Sequence, residues 1–433
     1  MRQIIQFPPL LPKPVWRLCS FRCHTTGSDH AAVVQQSEGE GETQNKIKKR
    51  CKRKRPSCPA VLDHFDRQYG EELGDLWTSA RTALLDPRSW QYGVMLNRFS
   101  VLTDITQKLH SQGFSALLPQ TNSSASLCAS NPSTEEKDSM LTPHCLFPHE
   151  LHHHPQSHPS VCSLQCYIHP LSLRFPSQAH RPGRLKQYYL LNAASLLPVL
   201  ALQVRDEDRV LDLCSAPGGK AIAIMQSATP AFLCCNEPDP HRRDWLTKTL
   251  ESFLPHSLNS RVTVTGRDGR LIAQTEAGFY DKVLVDAPCS NDRSWLYSSS
   301  NQQGAQRLKN REKLPSLQTQ LLRSALSAVR PGGVVVYSTC TLSSYENWAV
   351  VEKILRDFPQ AEPEDLWEDI AIPLSNYFTF SPPPGQNHIH LKKSPLTLDS
   401  TVSTRHHRLG LLVVPQHGKM WGPMFVSRIR RRE

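Results

Sequence analysis

Two cysteines stand in settings that could support covalent chemistry. One lies in Asp286-Ala287-Pro288-Cys289-Ser290 and the other in Tyr337-Ser338-Thr339-Cys340-Thr341, and each follows directly on a short apolar run that reads as a β-strand. A cysteine taken singly is more often a buried small hydrophobe than a reactive thiol, and that reading suits most of the other eleven. Two thiols at the ends of adjacent strands, with the Asp286 carboxylate in the same turn, suit catalysis better. The reaction that asks for such a set is methylation at carbon 5 of cytosine. That carbon is too poor a nucleophile to attack a methyl sulfonium unaided, so a thiolate must first add to carbon 6 and create an enamine. The attacking thiol needs a lowered pKa, and a neighbouring group, for which Asp286 is the candidate, must contact the ring nitrogen. A second thiol or a bound base then assists as the carbon 5 proton leaves and the adduct is eliminated. Position alone does not order the two cysteines.

A methyl donor needs its own site. Residues 210–213 form a strand that runs into Cys214-Ser215-Ala216-Pro217-Gly218-Gly219-Lys220 and then a helix, a glycine turn that lets backbone approach a ligand closely. A phosphate-binding loop would need Gly at 214 and Ser or Thr at 221, where the chain has Cys214 and Ala221, and no Gly-x-Gly-x-x-Gly is present. Glu237 follows the second strand, where a carboxylate can accept hydrogen bonds from both ribose hydroxyls. Asp268, before Gly269, follows the third and suits an adenine amino group, and Asp286 follows the fourth. Each acid alone reads as a helix cap or turn former; three in succession at strand ends point to a ligand.

These residues need a scaffold that lines up strand ends. Beyond Gly183, strand-like runs at 210–213, 231–235, 261–265, 282–285 and 334–337 alternate with helices near Lys220, Pro240, Gln318 and Asn347, which predicts an α/β fold with a doubly wound, mostly parallel sheet. Such sheets bind ligands beyond the carboxyl ends of their strands. Two more runs, 409–414 and 424–429, should pair as a hairpin through Gly418. Upstream, Leu62, Phe65, Tyr69, Leu73 and Leu76 recur at helical spacing, so 58–118 is expected to be a helical accessory region that binds RNA. Residues 119–160 and 381–407 are polar and aperiodic and read as disordered insertions, the second interrupting a catalytic domain of 162–430. His144, Cys145, His149 and His152 to His154 fit no metal-site spacing, and no metal is expected.

Taken together, Cys214 to Lys220, Asp286-Ala287-Pro288-Cys289 and Ser338-Thr339-Cys340 resemble the Nop/Sun-domain RNA cytosine-5 methyltransferases, over roughly 58–118 and 162–430. The resemblance implies the class I S-adenosylmethionine-dependent methyltransferase fold. It further implies that Cys340 attacks the base, that Cys289 helps release product, that Lys220, Glu237, Asp268 and Asp286 hold S-adenosylmethionine or the target base, and that Arg242 reaches the cofactor. The stretches Tyr188-Tyr189-Leu190-Leu191-Asn192-Ala193-Ala194-Ser195-Leu196-Leu197 and Ala287-Pro288-Cys289-Ser290-Asn291-Asp292-Arg293-Ser294-Trp295-Leu296 are similar to family members acting on mitochondrial methionine transfer RNA, which would make its wobble cytosine the substrate. A ribosomal RNA methyltransferase or assembly factor is the alternative, and a non-catalytic RNA-binding module a third reading. The chain departs from many relatives at Ser215, where they have Ala, and at Ala221, where they have Ser or Thr.

Charge and composition agree with an RNA partner without demanding one. The net charge is +11, but residues 1–55 hold twelve Lys or Arg against four acids, so the excess is mostly a property of the amino-terminal arm, 1–57. Residues 1–28 carry Arg2, Lys13, Arg17 and Arg22 and no acid, the composition of a mitochondrial presequence, so the mitochondrial matrix is expected. The run from Lys46 to Arg55 is an alternative nuclear signal or RNA-binding arm. Thirteen scattered cysteines suit reduced thiols. The longest apolar stretch, 196–202, cannot span a bilayer, so no membrane partner is expected, and the protein is expected to be a monomer.

Overall fold

The computed structural model describes residues 57–118, 164–381 and 409–433. The expected presequence and basic arm, the insertion at 119–160 with its histidines, and the polar loop at 381–407 apart from Ser381 lie outside the described residues.

The seven strands expected beyond Gly183 join two short ones that were not, Ala361–Glu364 and Phe380–Ser381, in one large sheet. In chain order they are β5 (Arg209–Asp212), β6 (Phe232–Asn236), β7 (Val262–Thr265), β8 (Tyr280–Asp286), β9 (Val329–Thr339), β10 (Ala361–Glu364), β11 (Phe380–Ser381), β12 (Leu411–Val413) and β13 (Met424–Arg431). Their order is β11-β12-β13-β9-β8-β5-β6-β7, with β10 also pairing with β13. The strands from β7 to β9 are parallel to one another, whereas β13 runs antiparallel to β9. The expected carboxyl-terminal hairpin forms, with Leu411 opposite Val426 and Val413 opposite Met424.

The core follows from strand periodicity. Val210, Leu233, Leu284, Val334 and Val336 face one apolar layer, together with Ile222, Leu246 and Leu250 from the helices Gly219–Ser227 and Pro240–Phe253. Leu211, Cys234, Val283, Val285 and Val335 face the other, against Leu321, Leu322, Ala325 and Ile354 from the helices Leu314–Ala328 and Trp348–Asp357. Both faces of β5, β6, β8 and β9 are therefore covered, and these strands hold continuous apolar runs, whereas β7 at the edge alternates Val with Thr. Register then aligns the chemistry: Asp212 sits beside Cys235 and Leu284, and Asp286 beside Ser338, all at the carboxyl edge.

The accessory region corrects the helical expectation for 58–118. Helices Pro59–Leu73 and Asp75–Leu85 are present, the first burying Val61, Phe65 and Tyr69 at four-residue spacing. They are followed, however, by a four-stranded antiparallel sheet of β1 (Gly93–Leu96), β2 (Ser115–Ala116), β3 (Cys166–Ile168) and β4 (Tyr188–Leu191), in the order β2-β3-β1-β4. Residues 166–191, expected in the catalytic domain, complete this sheet. The strands have two to four residues, and all four of β1 are buried, so no alternation marked them. No described helix is long and apolar enough to cross a membrane.

Candidate active site

The ends of β8 and β9 bring Cys289 and Cys340 together, with Sγ atoms 3.2 Å apart and the Cys340 N–H donating to Cys289 Sγ at 3.3 Å. The pair is not symmetrical. Cys289 is buried, whereas Cys340 is partly exposed. The hydrogen bond with Cys340, reinforced by burial, drives the Cys289 thiol well above the ordinary range and keeps it protonated. At Cys214, burial, with the charges of Glu237 and Asp212, pushes the thiol far up as well, which suits a packing role.

Asp286 ends β8 in the same region. Its Oδ2 accepts from Lys220 Nζ at 2.8 Å and its Oδ1 from Ser338 Oγ at 2.9 Å. Burial works against the Lys220 ammonium, but the carboxylate beside it prevails and holds its pKa above the ordinary lysine value. An ammonium and a carboxylate, each partly accessible, thus stand beside two thiols.

The glycine loop forms the neighbouring wall. Gly218 has φ +105° and lies so close to the Leu246 and Thr249 side chains that a Cβ would crowd them at 3.0 and 3.3 Å. Ser215 spends its hydroxyl on Asp212 Oδ2 at 2.8 Å, while Asp212 Oδ1 is buried with no partner among the described residues. Burial raises the Asp212 carboxyl to about 7. Ala221 lies in the apolar core.

The second strand end is tied to this loop. Asp239 caps the helix Pro240–Phe253 by accepting from the Arg242 N–H, which sets Arg242 in the first turn. From there its guanidinium pairs with Glu237 Oε2 at 3.1 Å and donates to the Ala216 carbonyl at 2.9 Å. Burial raises the Glu237 carboxyl against the pull of Arg242. Asp268 differs from its expectation in one respect. It caps the short turn Gly269–Leu271 and is engaged by Arg270, whose hydrogen bonds outweigh burial and hold the carboxyl below its usual value. Gly269 lets this turn approach the helix Leu314–Ala328, since a Cβ would lie 2.9 Å from Leu321. The expected cofactor residues therefore line one continuous edge. An orphaned buried carboxylate oxygen, a close-approach glycine and a buried acid at the next strand end fit an extended ligand bearing hydroxyl and amino groups.

Behind the thiols lies a buried polar network that sequence reasoning missed. Glu346 accepts from the Ser290 N–H at 2.9 Å, the Ser290 hydroxyl at 2.6 Å, Gln318 at 3.1 Å and Arg311 Nε at 3.1 Å. Asp292 accepts from Tyr69 at 3.0 Å, Thr341 Oγ1 at 2.9 Å and the Leu342 N–H at 2.7 Å. Arg311 also reaches the Tyr69 hydroxyl at 2.6 Å. The network clamps the Cys289 loop to the Cys340 loop and both to the helix Pro59–Leu73. Asp292 and Thr341, adjacent to the cysteine motifs, were the available signal; Arg311 sits in a charged run that reads as a solvated face. Among the described residues no group of His, Cys, Asp or Glu could hold a metal ion.

A doubly wound sheet with a glycine-loop ligand edge at the carboxyl ends of its strands is the architecture of a class I methyltransferase. Residues 199–388 match the family described as 16S rRNA methyltransferase RsmB/F. The chain is 50% identical over 376 residues to a tRNA (cytosine(34)-C(5))-methyltransferase, mitochondrial, from Danio rerio, covering 86% of this chain and 88% of that one. It is 41% identical over 389 residues to the protein so named from Mus musculus, covering 90% and 95%. A crystal structure of a methyltransferase homolog from Pyrococcus horikoshii shares the fold, with a TM-score of 0.53 at 19% identity, covering 86% of this chain and 99% of that one. The chain belongs to the RsmB/F, or Nop/Sun, family of S-adenosylmethionine-dependent RNA cytosine-5 methyltransferases.

Proposed function

We propose that this enzyme methylates the wobble cytosine of mitochondrial methionine transfer RNA, as a monomer in the mitochondrial matrix. The chemistry rests on one observation above all, the 3.2 Å approach of the Cys289 and Cys340 sulfurs at the ends of adjacent parallel strands. Cys340, the more accessible, adds to carbon 6 of the cytosine, and Asp286, steadied by Lys220 and Ser338, contacts the ring nitrogen. Cys289, its sulfur 3.2 Å from that of Cys340, assists the later elimination, in which a base takes the carbon 5 proton and the Cys340 sulfur leaves carbon 6 as a thiolate. S-adenosylmethionine, when bound, supplies the methyl group. Cys214, Ser215, Ala216, Pro217, Gly218, Gly219 and Lys220 would form its backbone cradle, Glu237, with Arg242 beside it, would take the ribose hydroxyls, and Asp268 and Gly269 would receive the adenine.

The choice of RNA is supported by the two relatives named above and by the sequence of residues 188–197 and 287–296. Bisulfite sequencing of mitochondrial and cytosolic RNA with and without the protein tests it. Loss of 5-methylcytosine at the wobble position of mitochondrial methionine transfer RNA is expected; loss confined to ribosomal RNA would overturn the assignment. The matrix assignment predicts that residues 1–28, fused to a reporter, direct import. A reporter that stays in the cytosol would refute it.

The cofactor assignment makes a quantitative prediction. Glu237→Ala and Asp268→Ala should each weaken S-adenosylmethionine binding by about 1 to 3 kcal/mol, the cost of leaving a ligand's buried donors unpaired. Calorimetry measures this directly. Unchanged affinity in both variants would mean that the strand-end acids do not hold the cofactor.

A further inference from the structure

Arg293 is a partly buried cation whose Nε is shut off from solvent and which has no carboxylate partner among the described residues. It follows Asp292 in the one-turn helix Asp292–Trp295, whose entry is set by Asn291 at φ 43°. Successive helical positions diverge by about 100°. Asp292 accordingly joins the network behind the thiols, while Arg293 reaches the other way, to the seam between the accessory region and the catalytic sheet. There its guanidinium lies over Trp90, 4.5 Å from the ring centroid, and donates to the Met420 carbonyl. The platform is fixed on several sides. Trp90 donates to the Ala83 carbonyl at 3.0 Å, Tyr297 packs edge-on against it, and Gln91 accepts from the Met420 N–H at 2.9 Å.

The Nε of Arg293 is buried and has no hydrogen-bond partner among the described residues, and none of their carboxylates pairs with it. The contrast with two buried arginines is direct. Arg311 pairs with Glu346, and Arg428 with Glu364 and Asp369. Burial lowers the Arg293 pKa to about 10, and the groups that oppose this are Tyr92, Cys340 and Tyr297 rather than an acid. A guanidinium partly withdrawn from water is costly unless its charge is matched, and the accessible remainder of Arg293 leaves it open to an anion that arrives from outside. A second cation, the exposed Arg174, stacks on Tyr92 at 4.6 Å, two residues from Trp90.

We propose that Arg293 holds a backbone phosphate flanking the cytidine presented to Cys340, so that the phosphate completes the charge balance of the pocket and sets the depth to which the base enters. A planar guanidinium matches a phosphate's paired oxygens and stays charged at any working pH. A base taken out of its stack brings its own phosphates toward the thiols, and Arg293 stands near enough to Cys340 for their charges to interact. Arg293 thereby acts as a substrate-positioning residue on the RNA backbone. This rests on the reading above that the anticodon region of methionine transfer RNA is the substrate.

The test uses the full-length wild-type protein and a synthetic anticodon stem-loop of mitochondrial methionine transfer RNA. Methylation of the unmodified stem-loop by wild type comes first; its absence would indict the substrate assignment, independently of Arg293. Two further stem-loops each carry one neutral methylphosphonate, 5′ or 3′ of the target cytidine. One of them is expected to bind wild type about tenfold or more weakly, the scale of a charge-assisted hydrogen bond. Arg293→Gln should weaken binding of the unmodified RNA by a similar factor, lose little more from that same linkage, and lower the salt dependence by about one phosphate contact. Affinity for S-adenosylmethionine should be unchanged. The wild-type comparison stands alone if the variant does not fold: equal binding of all three RNAs overturns the proposal. Full multiplication of the two losses overturns it, as does a variant that only shifts the pH dependence of Cys340 alkylation or weakens S-adenosylmethionine binding.

Discussion

Cys340→Ala is expected to abolish methylation and to leave no covalent protein-RNA species, whereas Cys289→Ala is expected to accumulate one. The geometry makes the contrast large. With Cys340 gone, the remaining thiol of the pair is Cys289, which loses the Cys340 hydrogen bond but is still pushed up by burial and by the nearby Glu346 carboxylate, so no thiolate is poised to add to carbon 6. With Cys289 gone, Cys340 keeps its place at the end of β9, and addition and methyl transfer proceed while elimination is slowed. The adduct should then survive denaturing electrophoresis as a slower band containing both protein and RNA. A trapped complex with Cys340→Ala and none with Cys289→Ala would reverse the two roles.

The second large effect falls on stability. Arg311→Met should cost about 3 to 5 kcal/mol, because it strips the guanidinium from Glu346 and Asp292 and leaves buried carboxylates without their cation. The loss should depend on pH. Burial raises the Asp292 carboxyl to about 6, above its ordinary value, against the opposing pull of Arg311. A folded-state pKa raised in this way contributes stability at low pH that is lost as pH rises through the folded value. Removing Arg311 raises that value further, so the deficit of the variant should be wider at about pH 8 than at about pH 5. Urea unfolding of wild type and variant at the two pH values measures it; a pH-independent deficit would mean that Arg311 acts by packing alone. Because the network also clamps the loops of Cys289 and Cys340, adduct formation should fall with it.

What could be read along the chain was whatever the backbone decides locally. The turn from Cys214 to Lys220 carries its glycines within one loop, and the strands that precede Glu237, Cys289 and Cys340 hold apolar runs buried on both faces. Placing the chemistry at strand ends thus followed from topology, as did the final hairpin through Gly418. The mutual positions were another matter. That the two thiols meet at 3.2 Å depends on the register of β8 against β9, which long-range pairing sets.

Asp268 shows the limit of a single position: its carboxylate also answers to Arg270, two residues on, so a cap and a ligand contact look alike in one dimension. The accessory sheet stayed hidden because strands of two to four residues carry almost no periodic signal and gain stability only by pairing with distant segments. Arg311, Glu346 and Arg293 were equally invisible, since a charged side chain in sequence looks solvated until folding removes its water. The residue types and the strand order were in the chain from the start; the burial that turns those types into a clamped thiol pair and an unpaired cation exists only in the tertiary structure, where desolvation decides which charges must find a partner.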